Sequence, residues 1–148
     1  MKKTMAKIVS AAVFVFCAST VFAQPQGKVL EQRIIKSSKL GKDVKYTVYL
    51  PADYETSERT YPVVYLLHGY TDDNTGWLQF GEINRYADKA IADGTIPPMI
   101  IVMPNADSSF YINSYDGKEN YEDFFVNEFM PAVEKEFRIK AEKKYRGV

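Results

Sequence analysis

Cysteine and histidine each occur once in this sequence of 148 residues. Cys17 lies in an apolar N-terminal segment, so the rest of the chain can form no disulfide bond and no zinc site built on thiolates. His68 is the single histidine, which excludes a histidine-rich metal site as well. The stability of the domain must therefore come from packing and hydrogen bonding, without cross-links or metal sites of these kinds.

The N terminus has the pattern of a secretory signal peptide. Three lysines precede an apolar segment at residues 8–21, and a small-residue cleavage site ends at Ala23. A membrane anchor is the alternative, but the apolar segment is short of the ~20 residues that a membrane span needs, and no stop-transfer pattern follows it. We therefore expect residues 1–23 to be removed on export, which predicts a periplasmic or secreted protein without a stable membrane anchor.

The predicted mature part, residues 24–148, carries no excess of positive charge. Loss of the three signal-peptide lysines leaves 16 basic and 19 acidic residues. No basic surface for nucleic acid is indicated, so we expect no nucleic-acid partner. The 125 residues that remain are enough for the core of one ordinary domain.

The stretch Y-P-V-V-Y-L-L-H-G, residues 61–69, organises the predicted fold. Its apolar run at residues 63–67 is too short for an independent helix and is rich in β-branched and aromatic side chains, which indicates a strand buried on both faces of a parallel sheet. The run ends at His68 and Gly69. Because ligands of open α/β sheets bind at the carboxyl ends of central strands, we expect the functional edge of the sheet there.

Alternation of apolar and polar residues before this strand predicts an antiparallel hairpin. Its strands would be residues 29–37 and 44–50, with a turn at Gly41 and Lys42. The alternation divides the second strand into an apolar set and a mostly polar set on opposite faces, namely Val44, Tyr46, Val48 and Leu50 against Lys45, Thr47 and Tyr49.

A parallel βαβ unit is predicted after the central strand. Residues 69–81 form a long loop, and apolar residues at helical spacing then predict a helix over residues 82–93 that ends at Gly94. Residues 99–103 form a second short apolar run, which indicates another buried strand. The apolar stripe of the helix consists of Ile83, Tyr86, Ala87, Ala90 and Ile91.

A second helix follows, with Asn120 as its predicted cap and Pro131 as a predicted kink or start of a new segment. Residues 145–148 have the composition of the beginning of a third parallel strand. A sheet that stops at this point would leave an apolar face uncovered. We therefore expect residues 24–148 to be the N-terminal part of a longer α/β protein.

Three loop features are candidates for chemistry. His68 is more consistent with a structural role than with a general base, because a base needs a nucleophile and an orienting carboxylate within reach. Asp72, Asp73 and Asn74 fit a solvated turn better than a calcium loop, because the EF-hand spacing and its distal glutamate are missing. The loop at residues 105–115, rich in aromatic and asparagine side chains, fits a carbohydrate or aryl pocket and an ordinary core-packed loop equally well.

The segment H-G-Y-T-D-D, residues 68–73, has the most specific chemical interpretation. Backbone N–H groups in a glycine-containing turn after a buried strand can form an oxyanion hole. Such a hole stabilises the negative charge that develops on a carbonyl oxygen during acyl transfer.

Four segments, in matching order along residues 43–148, together resemble the esterase family that includes esterase D, the feruloyl esterase domains of xylanases and the mycolyltransferases. The segments are Y-P-V-V-Y-L-L-H-G-Y-T-D-D-N-T-G-W, P-P-M-I-I-V-M-P-N-A-D, Y-E-D-F-F-V-N-E-F-M-P-A-V-E-K-E-F-R-I and K-K-Y-R-G-V. The resemblance implies an α/β-hydrolase fold in which the strand beginning at Tyr145 leads into a G-x-S-x-G nucleophile elbow. The sequence contains no such elbow, so the serine, the acid and the histidine of the triad are expected beyond Val148.

The resemblance also implies roles for residues of this chain. Gly69 and Tyr70 would form the first half of the oxyanion hole, with the backbone N–H of Tyr70 as the donor. Trp77 and the loop around Asp107 and Tyr111 resemble the acyl-pocket and substrate-side segments of the family. No metal or cofactor is implied.

These features together predict a secreted or periplasmic carboxylic-ester hydrolase, represented by the N-terminal half of an α/β-hydrolase fold. Feruloyl or acetyl esters on plant polysaccharide are the favoured substrates, because export brings the enzyme to such polymers and the aromatic loops suit them. One alternative is an acyltransferase of the same fold that delivers the acyl group to a sugar or lipid. Another is a non-catalytic carbohydrate-binding module that ends near Val148.

Overall fold

A computed structural model describes residues 25–148. The predicted signal peptide, residues 1–23, lies outside the described residues. Within the described range the strands are β1 (Lys28–Lys36), β2 (Asp43–Leu50), β3 (Val63–Tyr65), β4 (Ile100–Pro104) and β5 (Arg146–Gly147). They form one mixed sheet in the order β1-β2-β4-β3-β5.

The sheet is antiparallel on one side and parallel on the other. β2 pairs with β1 and with β4 in antiparallel register, whereas β3 lies between β4 and β5 and is parallel to both. Gly41, with a φ of 64°, forms the turn between β1 and β2 in a conformation that glycine adopts without strain. The predicted hairpin, the parallel pair and the third parallel strand are confirmed.

The central strand β3 is shorter than the predicted five-residue run. Its ladder ends at Tyr65, although the Leu66 N–H still donates to the Val102 carbonyl at 2.8 Å. The Leu67 carbonyl instead accepts a hydrogen bond from the indole Nε1–H of Trp77 at 2.8 Å. The chain leaves the sheet early because Trp77 in the following loop replaces the neighbouring strand as the hydrogen-bond partner.

The long loop predicted at residues 69–81 contains a one-turn helix, α1 (Gly76–Gln79). The next helix, α2 (Ile83–Ala92), matches the prediction, and Gly94 follows it with a φ of 70°. The apolar stripe is predicted too wide, since Tyr86 is 65% exposed. α2 packs against the sheet through a narrower set, Ile83, Ala87 and Ile91.

The sheet has two faces: α2 covers one, called here the second face, and the last helical region covers the other, the first face. Thr47 and Tyr49 of β2 are fully buried on this face, and the Tyr49 hydroxyl donates to the Asp88 carboxylate of α2 at 2.7 Å. The mostly polar set of β2 therefore does not mark a solvent face. Val64 of β3 is only partly buried and does not pack into this cluster, so the prediction that β3 is buried on both faces is wrong on this side.

The last helical region consists of three segments. α3 (Tyr121–Phe124) continues into a π-helical turn (Phe125–Phe129) and then into α4 (Met130–Glu136). Pro131, which has no N–H to donate, lies in the first turn of α4. The predicted start of a new segment at this proline is confirmed. No helix within residues 25–148 combines the length and the apolar composition required to cross a membrane.

The start of α3 differs from the prediction in its chemistry. Asn120 occupies the N-cap position, but its side chain makes no capping hydrogen bond and its Nδ2 donates to the Gly117 carbonyl at 3.1 Å. The Asn113 side-chain oxygen accepts the Asp123 N–H at 3.2 Å instead. The cap is displaced because a backbone bridge brings Asn113 beside Asn120.

Aromatic side chains fill the core between the first face of the sheet and the last helical region. Phe129 is fully buried, meets the Tyr46 ring edge-on at a centroid distance of 5.3 Å and stacks on Phe125 at 5.6 Å. Edge-on and offset-stacked pairs are the favourable arrangements of aromatic rings. Phe129 therefore joins the π-helical turn to the hairpin.

We expect Phe129→Ala to lower the free energy of unfolding by about 3–5 kcal/mol, because truncation leaves a cavity in the core. Equilibrium unfolding in urea measures the change. Val126→Ala is the matched control, since Val126 lies on the same π-helical turn and is 52% exposed; its change should stay within about 0.5 kcal/mol. Equal losses in the two variants would contradict the central place of Phe129 in the core.

Candidate active site

Two loops meet at the carboxyl ends of the parallel strands. The β3 loop, residues 66–75, and the β4 loop, residues 105–120, leave the sheet side by side because β3 and β4 are neighbours in parallel register. Most of the site residues predicted from the sequence lie on these two loops. At the predicted functional edge of the sheet, the β3 and β4 loops therefore lie next to each other.

His68 ties the two loops together. The imidazole Nδ1–H donates to the Gly69 carbonyl at 2.7 Å, and Nε2 accepts the Ala106 N–H at 3.0 Å. This pattern requires the neutral ring with its proton on Nδ1, and the residue is only 6% exposed. The structural interpretation of His68 is confirmed, because neither ring nitrogen is left to act as a base.

Tyr111 reinforces this link from the β4 loop. Its hydroxyl accepts the His68 N–H at 2.7 Å and lies 3.3 Å from the His68 carbonyl, to which it donates. The two rings meet edge-on at a centroid distance of 5.5 Å. Burial raises the pKa of the Tyr111 hydroxyl to about 12, so the proton that it donates stays in place at neutral pH.

The predicted oxyanion-hole segment forms a tight turn. The Asp72 N–H donates to the Gly69 carbonyl at 3.2 Å, and Thr71 has a φ of 68°. Within residues 25–148 no group accepts a hydrogen bond from the Tyr70 N–H. A Cβ atom added to Gly69 would meet no atom within 4 Å, so open space adjoins the turn. This N–H is therefore a candidate donor to a ligand.

Two cavities adjoin this turn, and Gly69 lines both. The smaller one, about 140 Å³ and called here the Asp107 cavity, is lined by His68, Gly69, Tyr70, Asp107, Ser108, Phe110 and Tyr111. The larger one, about 250 Å³ and called here the Trp77 cavity, is lined by Gly69, Asp72, Gly76, Trp77, Phe80 and Gly81. The structure thus brings four predicted site residues together in one cavity and places Trp77 in the other.

Trp77 is fixed in the wall of its cavity. Its indole N–H is bonded to the β3 loop, and the ring remains 40% exposed. A Cβ at Gly81 would stand 2.7 Å from the Trp77 carbonyl oxygen, so only glycine fits against it. Phe80, 82% exposed, adds a second aromatic side chain. The cavity therefore combines two aromatic rings with glycine backbone and the side chain of Asp72.

Asp107 supplies a negative charge to its cavity. Its Oδ2 accepts a hydrogen bond from Lys42 Nζ at 3.0 Å, and its Oδ1 accepts one from Asn105 Nδ2 at 3.1 Å. The hydrogen bond from Lys42 lowers the pKa of Asp107 below its ordinary value. Lys42 also bonds Glu119 at 3.2 Å, so the hairpin turn is joined to both ends of the β4 loop.

The segment Asp72-Asp73-Asn74 is only partly a solvated turn. Oδ1 of Asp73 accepts hydrogen bonds from the N–H and the hydroxyl of Thr75, both at 2.7 Å, and the hydroxyl bond lowers the pKa of Asp73. Asn74 is 2% exposed and donates to the Thr47 hydroxyl at 2.8 Å, so the solvated interpretation is wrong for this residue. Among residues 25–148 no group of three or more metal-ligating side chains is present.

Two contacts in the site had no signal in the sequence, although the aromatic loop that contains Phe110 was a candidate. Phe110 stacks on Tyr70 across the two loops, and Lys42 reaches Asp107 from the distant hairpin turn. A subtler feature is backbone strain, since non-glycine residues with positive φ are concentrated on the two loops at Thr71, Asp107, Phe110 and Tyr111. Such conformations persist where the surrounding structure holds them, and they cluster at functional sites.

A larger cavity of about 620 Å³ lies elsewhere, between the end of β2 and α2, and includes Tyr49, Arg59, Asp88 and Pro98. It is near the amino end of β4, since Tyr49 pairs with Ile101. Ligands of open α/β sheets bind at the opposite, carboxyl ends of the strands. The smaller cavities beside Gly69 are therefore the better candidate.

Comparison with known proteins identifies the relatives of this chain. The family described as "Putative esterase" matches residues 37–148. An endo-1,4-β-xylanase/feruloyl esterase of Xylanibacter ruminicola is 32% identical over 126 residues, which are 80% of this chain and 17% of that protein.

Two solved structures are also similar. A ferulic acid esterase superposes with a TM-score of 0.76 at 35% identity, covering 82% of this chain and 47% of that one. A fluorophosphonate-binding serine hydrolase of Staphylococcus aureus superposes with a TM-score of 0.68 at 25% identity, covering 82% of this chain and 46% of that one. The chain spans less than half the length of each of these relatives.

We expect Tyr111→Phe to destabilise the protein by about 1–3 kcal/mol, because loss of the hydroxyl leaves the buried His68 N–H without a partner. Urea unfolding of the two proteins gives the difference. Tyr115→Phe is the control, since Tyr115 lies on the same loop and is fully exposed. A loss in Tyr111→Phe no larger than in Tyr115→Phe would mean that the hydroxyl is dispensable.

Proposed function

The chain belongs to the putative esterase family, and from this premise we propose that the protein is a carboxylic-ester hydrolase that acts through a serine nucleophile. The observation that carries the proposal is the N–H of Tyr70, which has no partner among residues 25–148 and lies in a turn that adjoins two cavities at the carboxyl end of a central parallel strand. A donor in this position suits the carbonyl oxygen of an ester.

The fold is that of the α/β-hydrolases, as the similarity to ferulic acid esterase and the mixed sheet establish. In this fold the nucleophile stands on a sharp turn between a strand and a helix, and its acid and histidine follow later in the chain. The resemblance to the family identifies β5 as the strand that precedes this turn. We place the serine, the acid and the histidine beyond Val148, since residues 1–148 contain no G-x-S-x-G and their one histidine is already engaged.

The proposed reaction is a two-step acyl transfer. The serine hydroxyl attacks the ester carbonyl while the triad histidine takes its proton, and the negative charge develops on the carbonyl oxygen. The Tyr70 N–H stabilises this charge together with a second donor beside the serine. The alcohol then leaves with a proton, and water hydrolyses the acyl-enzyme to release the acid. His68 takes no part in proton transfer, because it holds the turn that carries the donor.

The proposed substrates are aryl esters of plant polysaccharide, such as feruloyl esters, with acetyl esters as the smaller class. The Trp77 cavity supports this proposal, since Trp77, Phe80 and three glycine walls suit a flat aromatic acyl group. Support also comes from a relative and a solved structure, which are a feruloyl esterase and a ferulic acid esterase.

We further propose that the protein is exported and that its signal peptide is cleaved after Ala23. N-terminal sequencing of the protein recovered from the periplasm or the medium should then begin at Gln24. An N terminus at Met1 on a membrane-bound protein would favour the anchor alternative.

The Tyr70 N–H can be removed without removing the turn. Tyr70 is the second residue of the four-residue turn whose third residue, Thr71, has a φ of 68°, as in type II turns, and proline is common at the second position of such turns. We expect Tyr70→Pro in the full-length protein to lower kcat for methyl ferulate about 10²–10³-fold, which is the usual effect of losing one oxyanion donor.

Tyr70→Ala is the matched control, because it removes the same side chain and keeps the N–H. The effect of the N–H is the difference between the two variants, with circular dichroism used to check that both are folded. Equal kcat values for the proline and alanine variants would overturn the assignment of Tyr70 as an oxyanion donor. A full-length protein that hydrolyses no ester would overturn the proposed function itself.

A further inference from the structure

The structure points to a second binding surface beside the proposed oxyanion hole. We infer that the side chains of Tyr70 and Phe110 form a wall that binds a sugar ring on the alcohol side of the ester. This inference rests on the proposed function, which it extends from the acyl group to the group that leaves. The pair is called here the aromatic wall.

The aromatic wall is preformed. The two rings are nearly parallel, with an interplanar angle of 12° and a centroid distance of 5.2 Å. Each nevertheless remains largely accessible, with Tyr70 64% and Phe110 67% exposed. Large apolar side chains that are held in place and left exposed are typical of surfaces that a ligand covers.

The backbone supports the placement of both rings. Phe110 has a φ of 55° and its neighbour Tyr111 a φ of 61°, conformations that bulky residues rarely adopt. Thr71, next to Tyr70, has a φ of 68°. The bonds that Tyr111 makes to His68 hold the β4 loop in this unfavourable conformation. The two rings are thus held together in backbone conformations that the local sequence disfavours. Both rings are exposed within residues 25–148, so packing in this part of the chain does not require the arrangement.

The cavity next to the wall has the polar groups that a neutral sugar needs. Asp107 and Ser108 line it together with the two rings. Lys42 and Asn105 hold the Asp107 carboxylate, which is an acceptor for sugar hydroxyl groups. The cavity is small, about 140 Å³, which suits a single sugar unit of a longer chain.

The position of the wall selects the alcohol half of the substrate. Gly69 lines both cavities, so both adjoin the turn that carries the Tyr70 N–H, and an ester bound at this N–H can place one half in each. The Trp77 cavity, with its flat rings and glycine walls, fits the aryl acyl group, which leaves the Asp107 cavity and the aromatic wall for the hydroxyl-rich sugar.

The test compares two substrates that share the acyl group and differ in the alcohol, methyl ferulate and a feruloylated arabinoxylo-oligosaccharide. In the full-length protein, Phe110→Ala should raise the KM for the oligosaccharide ester relative to that for methyl ferulate by roughly twofold to tenfold, the effect of losing one aromatic contact. Tyr115→Ala is the matched control, because Tyr115 is fully exposed on the same loop and lines neither cavity. Its KM ratio should equal that of the wild type.

Calorimetric titration with the same oligosaccharide without its feruloyl group tests the wall independently of catalysis. The wild type and Tyr115→Ala should bind it, and Phe110→Ala should bind it roughly twofold to tenfold more weakly. An unchanged KM ratio together with equal binding by all three proteins, or no binding by any of them, would overturn the inference. A protein that binds the oligosaccharide through Phe110 and hydrolyses no ester would leave the wall in place and refute the proposed function.

Discussion

The buried imidazole of His68 is the contact on which the site depends. It bonds the Gly69 carbonyl with one ring nitrogen and the Ala106 N–H with the other, so it fixes the start of both loops at once. The parallel pairing of β3 and β4 only brings the loops side by side. The hydrogen bonds of the sheet do not determine the conformation of the chain after the last paired residue. The side chain of His68 converts that proximity into a defined turn and a defined cavity.

The strained residues follow from the same constraint. A loop with several positive φ angles at non-glycine residues would relax if its ends were free, since each such residue costs free energy. Here Tyr111 is bound to the backbone of His68, and Asp107 is held by Lys42 from the hairpin turn. Contacts between segments distant in sequence therefore determine the local backbone, and the open surface beside Gly69 results from them.

Periodicity was sufficient to predict the hairpin, the βαβ pair and the two helical regions, because burial of one face dictates these patterns. Periodicity was not sufficient where a single side chain determines where an element ends, how a helix is capped or whether a loop residue is buried. Trp77 ends β3 early, and Asn113 replaces Asn120 as the cap of α3. Asn74 is buried although its neighbours are polar, because Thr47 of β2 offers it a hydrogen-bond partner. The stack of Tyr70 on Phe110 joins residues 40 positions apart, for which a single sequence contains no signal.

The short strand β5 has its position fixed by charge as well as by pairing. β5 pairs with β3 through only two residues, and so short a pairing determines the register between the strands weakly. Arg146 also forms a two-bond ion pair with Glu134 of α4, at 2.5 and 2.6 Å, and the Glu134 side chain is only 9% exposed. A slip of one residue would turn Arg146 to the other face and leave this carboxylate buried without its partner, which is costly. The pair therefore specifies the register of β5 against β3.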